Sequence, residues 1–366
     1  MDRALPNIPD SMQAIVCHGP MDYRFETVPV PQPGPGEVLA KIRYAGVCAS
    51  DLKCWLGAPM FWGTAGAPGG YCQPPVIAGH EFIAEVAALG DGTGERDNLQ
   101  IGDRVISEQI VPCRSCRYCR DGYYWMCEIN DVYGFRQATP GAWAEYMLFP
   151  PKAINHRVPK TIPLHHAVFI EPLACAIHAV NQGNIQLNDT VVIAGCGPLG
   201  LGMIAAAKMK GAAQIIAVDL VDERLAAARE VGADVGLNPK KSDAAAEIRK
   251  LTGGYGCDVY IEATGSPDGV AQGLDAVRKM GTFVEFSVFT KPASVDWTII
   301  GDRKELTIRG SHLSPHCYPT AMRMLERGLL PMDRILTHRF PLSACDDAIA
   351  LVKSGASSVK VVFEIK

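Results

Sequence analysis

The sequence has no run of about 18 apolar residues, the length a helix needs to cross a bilayer, so neither a membrane span nor a membrane partner is expected. It has little net charge, formally -4, which removes the electrostatic reason for binding nucleic acid or an anionic membrane surface. The N-terminal stretch MDRALPNIPDSMQAIV lacks a basic head followed by an apolar core, so no export signal is expected and the compartment is read as the reducing cytoplasm. There is no internal repeat and no low-complexity tract. The 366 residues exceed what one ordinary core organises, and about two domains are expected.

Cysteine, by contrast, is plentiful. Thirteen cysteines in a chain with no export signal point to metal binding or catalysis rather than to a disulfide framework.

The first third reads as β-rich. Short apolar segments at Ala14–Val16, Val38–Ile42 and Val76–Ala78 are broken by Pro and Gly, as in a barrel of short strands and long loops. From about residue 166 the rhythm changes. Strands are predicted at Thr190–Ala194, Gln214–Asp219, Asp258–Glu262, Thr282–Ser287 and Leu306–Gly310, with helices at Leu199–Lys210, Asp222–Val231 and Ser266–Lys279. That alternation argues for βαβ units around a parallel sheet. The tail runs helix (Tyr318–Arg327), loop, helix (Ser343–Ser354) and strand (Val359–Ile365). The expected class is α/β with a β-rich partner domain.

The segment VVIAGCGPLGLG places Gly195, Gly197 and Gly200 in a G-x-G-x-x-G pattern between an apolar strand and a helix. The first glycine serves a tight turn, the second the approach of a pyrophosphate, and the third close helix–strand packing. Pro198 and Leu199 open the helix whose free N–H groups face the anion. Asp219, at the end of the next strand, suits the ribose hydroxyls of NAD and repels the 2′-phosphate of NADP. Arg224 lies either along the adenine end or on the helix surface as an ordinary charge.

Cys113, Cys116, Cys119 and Cys127 form C-x2-C-x2-C-x7-C, a spacing that turns four thiolates onto one tetrahedral ion and closes it against water. A structural zinc is the reading; an iron–sulfur cluster fits the spacing but lacks an evident redox partner. A dispersed second set comprises Cys48, His80, Glu81 and Glu171. Sulfur, nitrogen and carboxylate donors suit Zn²⁺, and fewer than four firm ligands leave a position open for substrate.

Taken in order, the element Cys48-x-x-Asp51, the GHE of residues 79–81, the cysteine tetrad, EPLA from Glu171 and the glycine motif resemble the zinc-containing medium-chain dehydrogenase/reductase family. The resemblance runs from about residue 12 to 366; EPLA from Glu171 together with GHE is similar to the polyol (sorbitol-type) branch, and the long insert between Cys48 and His80 resembles that of the erythritol/threitol subgroup. It implies a GroES-like barrel domain at 1–165, a Rossmann doubly wound parallel sheet at 166–312, a return to the first domain at 313–366, and an active site in the cleft between them. It further implies two zinc ions per chain, NAD, a homo-oligomer (tetramer or dimer), and oxidation of a secondary alcohol on a small polyol to the ketose. Four-carbon erythritol or threitol is the leading substrate; sorbitol, xylitol, 2,3-butanediol and L-threonine are the alternatives.

Within the resemblance, Cys48, His80 and Glu81 match catalytic zinc ligands. Glu171 matches a second glutamate that binds the metal directly or through water. Asp51 matches the acid that orients the ligand histidine, and Ser50 the hydroxyl that takes the substrate proton. Lys53 stands where relatives carry a relay histidine, and His312 and Leu313 where sorbitol dehydrogenases carry a Phe-Arg pair. The long stretch between Cys48 and His80 holds Met60, Phe61, Trp62 and Tyr71. These aromatics either wall a small pocket or pack as a surface loop or subunit contact.

Overall fold

The computed structural model describes residues 7–64, 69–355 and 358–366, so the readings made over residues 1–6 and over 65–68 of the long stretch lie outside the described residues. Two units emerge, one of Met1–Glu171, Tyr318–Glu326 and Leu336–Lys366, the other of Pro172–Cys317 and Arg327–Ile335.

The first unit is built on a mostly antiparallel sheet in the order Asn155–Arg157, Arg104–Ser107, Phe82–Leu89, Val38–Val47, Lys360–Glu364, Leu336–Phe340, with Tyr146–Phe149 also pairing with Val38–Val47. A three-stranded sheet joins Asp22–Pro29, Ser11–Gly19 and Val76–Ile77. The core is aromatic: Phe82 lies 5.6 Å from Phe149, and Trp143 meets Phe363 edge-on at 5.1 Å. Each such buried ring contributes on the order of 2–3 kcal/mol by leaving water. Trp143 also keeps its N–H satisfied, donating to the Gly46 carbonyl at 3.0 Å.

This topology brings three chain positions together. Val38–Val47 is flanked by Phe82–Leu89 on one side and by Lys360–Glu364 on the other. Phe82 pairs with Ala45 and Val361 with Val47, so Cys48, Glu81 and Lys360 fall at the same end of three adjacent strands.

The second unit is a six-stranded parallel sheet in the order Val235–Leu237, Gln214–Val218, Thr190–Ala194, Cys257–Glu262, Val277–Glu285, Thr307–Gly310. Numbered along the chain, that is the doubly wound order 3-2-1-4-5-6. Val191, Val192 and Ile193 are fully buried, as strands covered on both faces must be, which is why the stretch reads as continuously apolar.

Beyond the unpredicted strand Val235–Leu237, three details depart from the sequence reading. The helix expected to reach Lys279 ends at Ala276, because Val277 is buried and pairs with Cys257 in the sheet. The helix Ile170–Gln182 was not expected; it is buried from Ile170 to Val180, and Pro172 sits in its first turn, where no helical N–H is lost. Ala244–Leu251 is a further helix, started by Asp243, whose carboxylate accepts from the Ala246 amide at 3.0 Å.

Candidate active site

Cys48 is the cap residue of the short helix Ala49–Trp55, and Asp51 in that helix's first turn accepts from the Cys48 amide at 2.8 Å. The same carboxylate turns its other oxygen to His80, with Oδ1 3.2 Å from Nδ1. Asp51 is 2% exposed and His80 6%, so the pair is held in a low-dielectric setting. It leaves Nε2 of the imidazole for a metal, and the Ser50 hydroxyl stands 3.3 Å from that nitrogen. Burial, the largest influence, disfavours the imidazolium, yet Asp51 and Cys48 outweigh it and hold His80 well above the ordinary histidine range.

The donor atoms of Cys48, His80 and Glu81 lie within 4.8 Å of one another. One thiolate, one imidazole and one carboxylate at that spacing fit a zinc ion with bonds of about 2.0–2.3 Å and leave it short of four protein ligands. Glu171 is not in that group. It is 5% exposed, and its Oε1 accepts from Gln109 Nε2 at 2.7 Å. Gln109 is fixed in turn by Tyr318, whose hydroxyl donates to Gln109 Oε1 at 3.0 Å and accepts from its amide at 3.2 Å.

Gln109, Tyr318 and Lys360 escaped the sequence reading. Lys360 is 3% exposed, forms an ion pair with Glu81 Oε2 and donates to the Val47 carbonyl at 3.0 Å. The available signal was a lysine directly before the apolar run VVF at the start of the strand Lys360–Glu364.

The long stretch between Cys48 and His80 reaches the site through Phe135. Phe61, 1% exposed, stacks on Phe135 at 5.1 Å, Tyr71 packs against it at 5.8 Å, and Phe135 lies 5.3 Å from the His80 ring. Arg136 covers the Tyr71 ring at 5.5 Å. Trp62 donates to the Cys54 carbonyl at 2.7 Å, while Met60 is exposed. Phe61 and Tyr71 thus buttress His80 through Phe135, whereas Met60 faces water. His312 lies beside His178, which burial pushes down to about 4, so His178 is neutral near pH 7.

Cys113, Cys116, Cys119 and Cys127 also converge to within 4.8 Å. The Ser115 hydroxyl and amide, with the Cys116 amide, hold the Cys113 thiol down to about 5, whereas burial pushes Cys119 up to about 12, so an ion held by all four would take a proton's place there. The Cys113 amide donates to Cys127 Sγ at 3.2 Å, the outer bonding that orients such ligands. Four sulfurs fit a closed structural site. Cys116→Ser should lower the melting temperature or break up oligomers while folded protein keeps near-normal turnover, measured by thermal denaturation and steady-state rates on the same sample. A stable but inactive variant would contradict that division of labour.

In the second unit, Gly197 caps the helix Pro198–Met209. Gly195 has φ +95°, a left-handed conformation that favours glycine, and a methyl group on Gly200 would overlap the Gly195 carbonyl. Beside Gly197 the space is open, a cradle for a pyrophosphate at the helix N-terminus. Pro198 supplies the first helical position, where its missing N–H costs nothing, and Leu199 follows it. Asp219 is 8% exposed; Oδ2 accepts from the Cys196 amide at 2.8 Å and Oδ1 from the Val221 amide at 2.9 Å. Each oxygen keeps a lone pair for a ribose hydroxyl. The Arg224 guanidinium is near enough to the loop for its charge to act on the Cys196 thiol.

Comparisons with known proteins agree with this geometry. Residues 34–160 match the alcohol dehydrogenase GroES-like domain and residues 198–327 the zinc-binding dehydrogenase family. The chain is 51% identical to an erythritol/L-threitol dehydrogenase of Mycolicibacterium smegmatis over 97% of its own length and 98% of the relative's. It is 36% identical to an L-threonine 3-dehydrogenase of Pyrococcus furiosus, covering 98% of this chain and 99% of that one. The crystal structure of 2R,3R-butanediol dehydrogenase from Bacillus subtilis superposes with a TM-score of 0.85 at 30% identity, covering 97% of this chain and all of that one. The chain therefore belongs to the zinc-dependent medium-chain dehydrogenase/reductase family and is an oxidoreductase.

Proposed function

We propose that the chain oxidises a secondary alcohol on a small polyol, with four-carbon erythritol or threitol as the substrate, to the corresponding ketose. The observation that carries the chemistry is the convergence of Cys48, His80 and Glu81 beside the Ser50 hydroxyl. The choice of a four-carbon polyol is supported by 51% identity over 97% of the chain to the erythritol/L-threitol dehydrogenase.

When bound, zinc supplies Lewis acidity to the substrate hydroxyl and NAD accepts the hydride. Cys48, His80 and Glu81 would hold the metal. Asp51 keeps the His80 ring in the orientation that presents Nε2. Ser50 accepts the proton of the substrate hydroxyl and passes it outward. Glu171, anchored by Gln109, is the second carboxylate of the site. Gly195, Gly197, Pro198, Leu199 and Gly200 hold the pyrophosphate, Asp219 the adenosine ribose, and Arg224 flanks the adenine end. Placing the reacting carbon against the nicotinamide is the protein's largest task, since positioning alone supplies several kcal/mol. A homo-oligomer, dimer or tetramer, and cytoplasmic residence belong to the same reading. The edge strand Thr307–Gly310, exposed at every residue, supports the former.

The test is a panel of C3–C6 polyols, 2,3-butanediol and L-threonine, followed by NADH absorbance with NAD and NADP in parallel. The reading expects the highest kcat/KM for erythritol or threitol with NAD. It also expects Asp219→Ser to weaken NAD and admit NADP. A wild type that prefers NADP, or that prefers sorbitol or threonine, would overturn the corresponding part.

A further inference from the structure

Lys360 and Glu81 form a buried pair beside the metal cluster. Lys360 is 3% exposed and Glu81 1%, depths at which either charge alone costs several kcal/mol. Nζ of Lys360 engages Glu81 Oε2 and donates to the Val47 carbonyl at 3.0 Å, one residue before Cys48. The carboxylate has little freedom to leave: a methyl group on Gly46 would overlap its Oε2. Sheet pairing of Val361 with Val47 makes this placement of the ammonium a property of the fold rather than of a flexible side chain alone.

We propose that Lys360 is a positioning residue for the metal centre, acting through Glu81. It occupies one carboxylate oxygen, so Glu81 is a weakened ligand with at most one oxygen left for the ion, and a coordination position stays available for the substrate hydroxyl. The inference rests on Cys48, His80 and Glu81 being the zinc ligands. Two cations then share one carboxylate, and removing the ammonium both frees the second oxygen and ends the repulsion between Lys360 and the ion. Zinc retention should rise where turnover does not.

The experiment is a cycle of Lys360→Met, Glu81→Gln and the double variant, read by competition of the holoenzyme with a chromophoric chelator. The absorption spectrum of protein carrying cobalt in the Cys48 site, with zinc left in the four-cysteine site, is the second readout. Lys360→Met should tighten metal binding about tenfold and alter the cobalt bands, because a coupled pair of this kind exchanges 1–2 kcal/mol and about 1.4 kcal/mol is tenfold. In the Glu81→Gln background the same change should move affinity by less than about threefold. Unaltered affinity and spectrum in Lys360→Met, or an equal change in both backgrounds, overturns the proposal. If Lys360→Met does not fold, the double variant should, since the unpaired buried carboxylate is gone; a double variant that also fails overturns it. Glu81→Gln with wild-type zinc affinity would remove Glu81 from the ligand set, and the inference with it. Loosened zinc in Glu81→Gln beside an unchanged Lys360→Met would overturn the role of Lys360 alone.

Discussion

Ser50→Ala is expected to lower turnover by about 10²–10⁴-fold, the range for losing a positioned acid–base group, while bound zinc and NAD affinity stay near wild type. The hydroxyl stands 3.3 Å from the His80 nitrogen that faces the metal site, close enough to receive a proton from an oxygen bound there, yet it supplies no ligand in the reading above. The defect should shrink as pH rises, because hydroxide then removes the proton without a relay. Rates from pH 6 to 10 with zinc content measured alongside are the check. Wild-type turnover across that range would show that the proton leaves by another route, through Lys53 or bulk water.

His80→Ala should behave differently: zinc falls from about two ions per chain to about one, and activity is lost at every pH. The imidazole is the only nitrogen donor of the cluster, and its removal leaves Cys48 and Glu81 as the near ligands. It also strips Asp51, 2% exposed, of its contact at 3.2 Å. The loss of metal affinity should exceed the roughly 10–100-fold that removing an outer partner of a ligand costs. Elemental analysis of the purified variant measures it, and retention of both ions would remove His80 from the ligand set.

The contrast between these variants mirrors what a sequence exposes. The cysteine tetrad and the glycine motif were legible because their chemistry is local: close spacing in the chain is close spacing in space. The parallel sheet was legible through alternation of apolar strands and helices. Cys48 and the neighbours His80 and Glu81 lie on separate segments, and only the resemblance to a known family joined them; adjacent strands supply the physical reason. Lys360 and Tyr318 could not be found that way. Their partners Val47 and Gln109 lie 313 and 209 residues away, and no periodicity reports such pairings. The helix Ile170–Gln182 was missed although it carries Pro172 only in its first turn, a position that does not break a helix. The aromatics after Cys48 left two readings open, and packing of Phe61 and Tyr71 onto Phe135 separates them from the exposed Met60.

The central claim is that a metal held at Cys48, His80 and Glu81 makes this chain an NAD-linked polyol dehydrogenase. NADH formation from erythritol and threitol should be followed with the same preparation as purified, after the Cys48 site is emptied by a chelator, and after zinc is returned. The account predicts oxidation as purified, loss on stripping while the four-cysteine site stays filled, and recovery with about one added zinc per chain. Undiminished NADH formation from the stripped protein would contradict it.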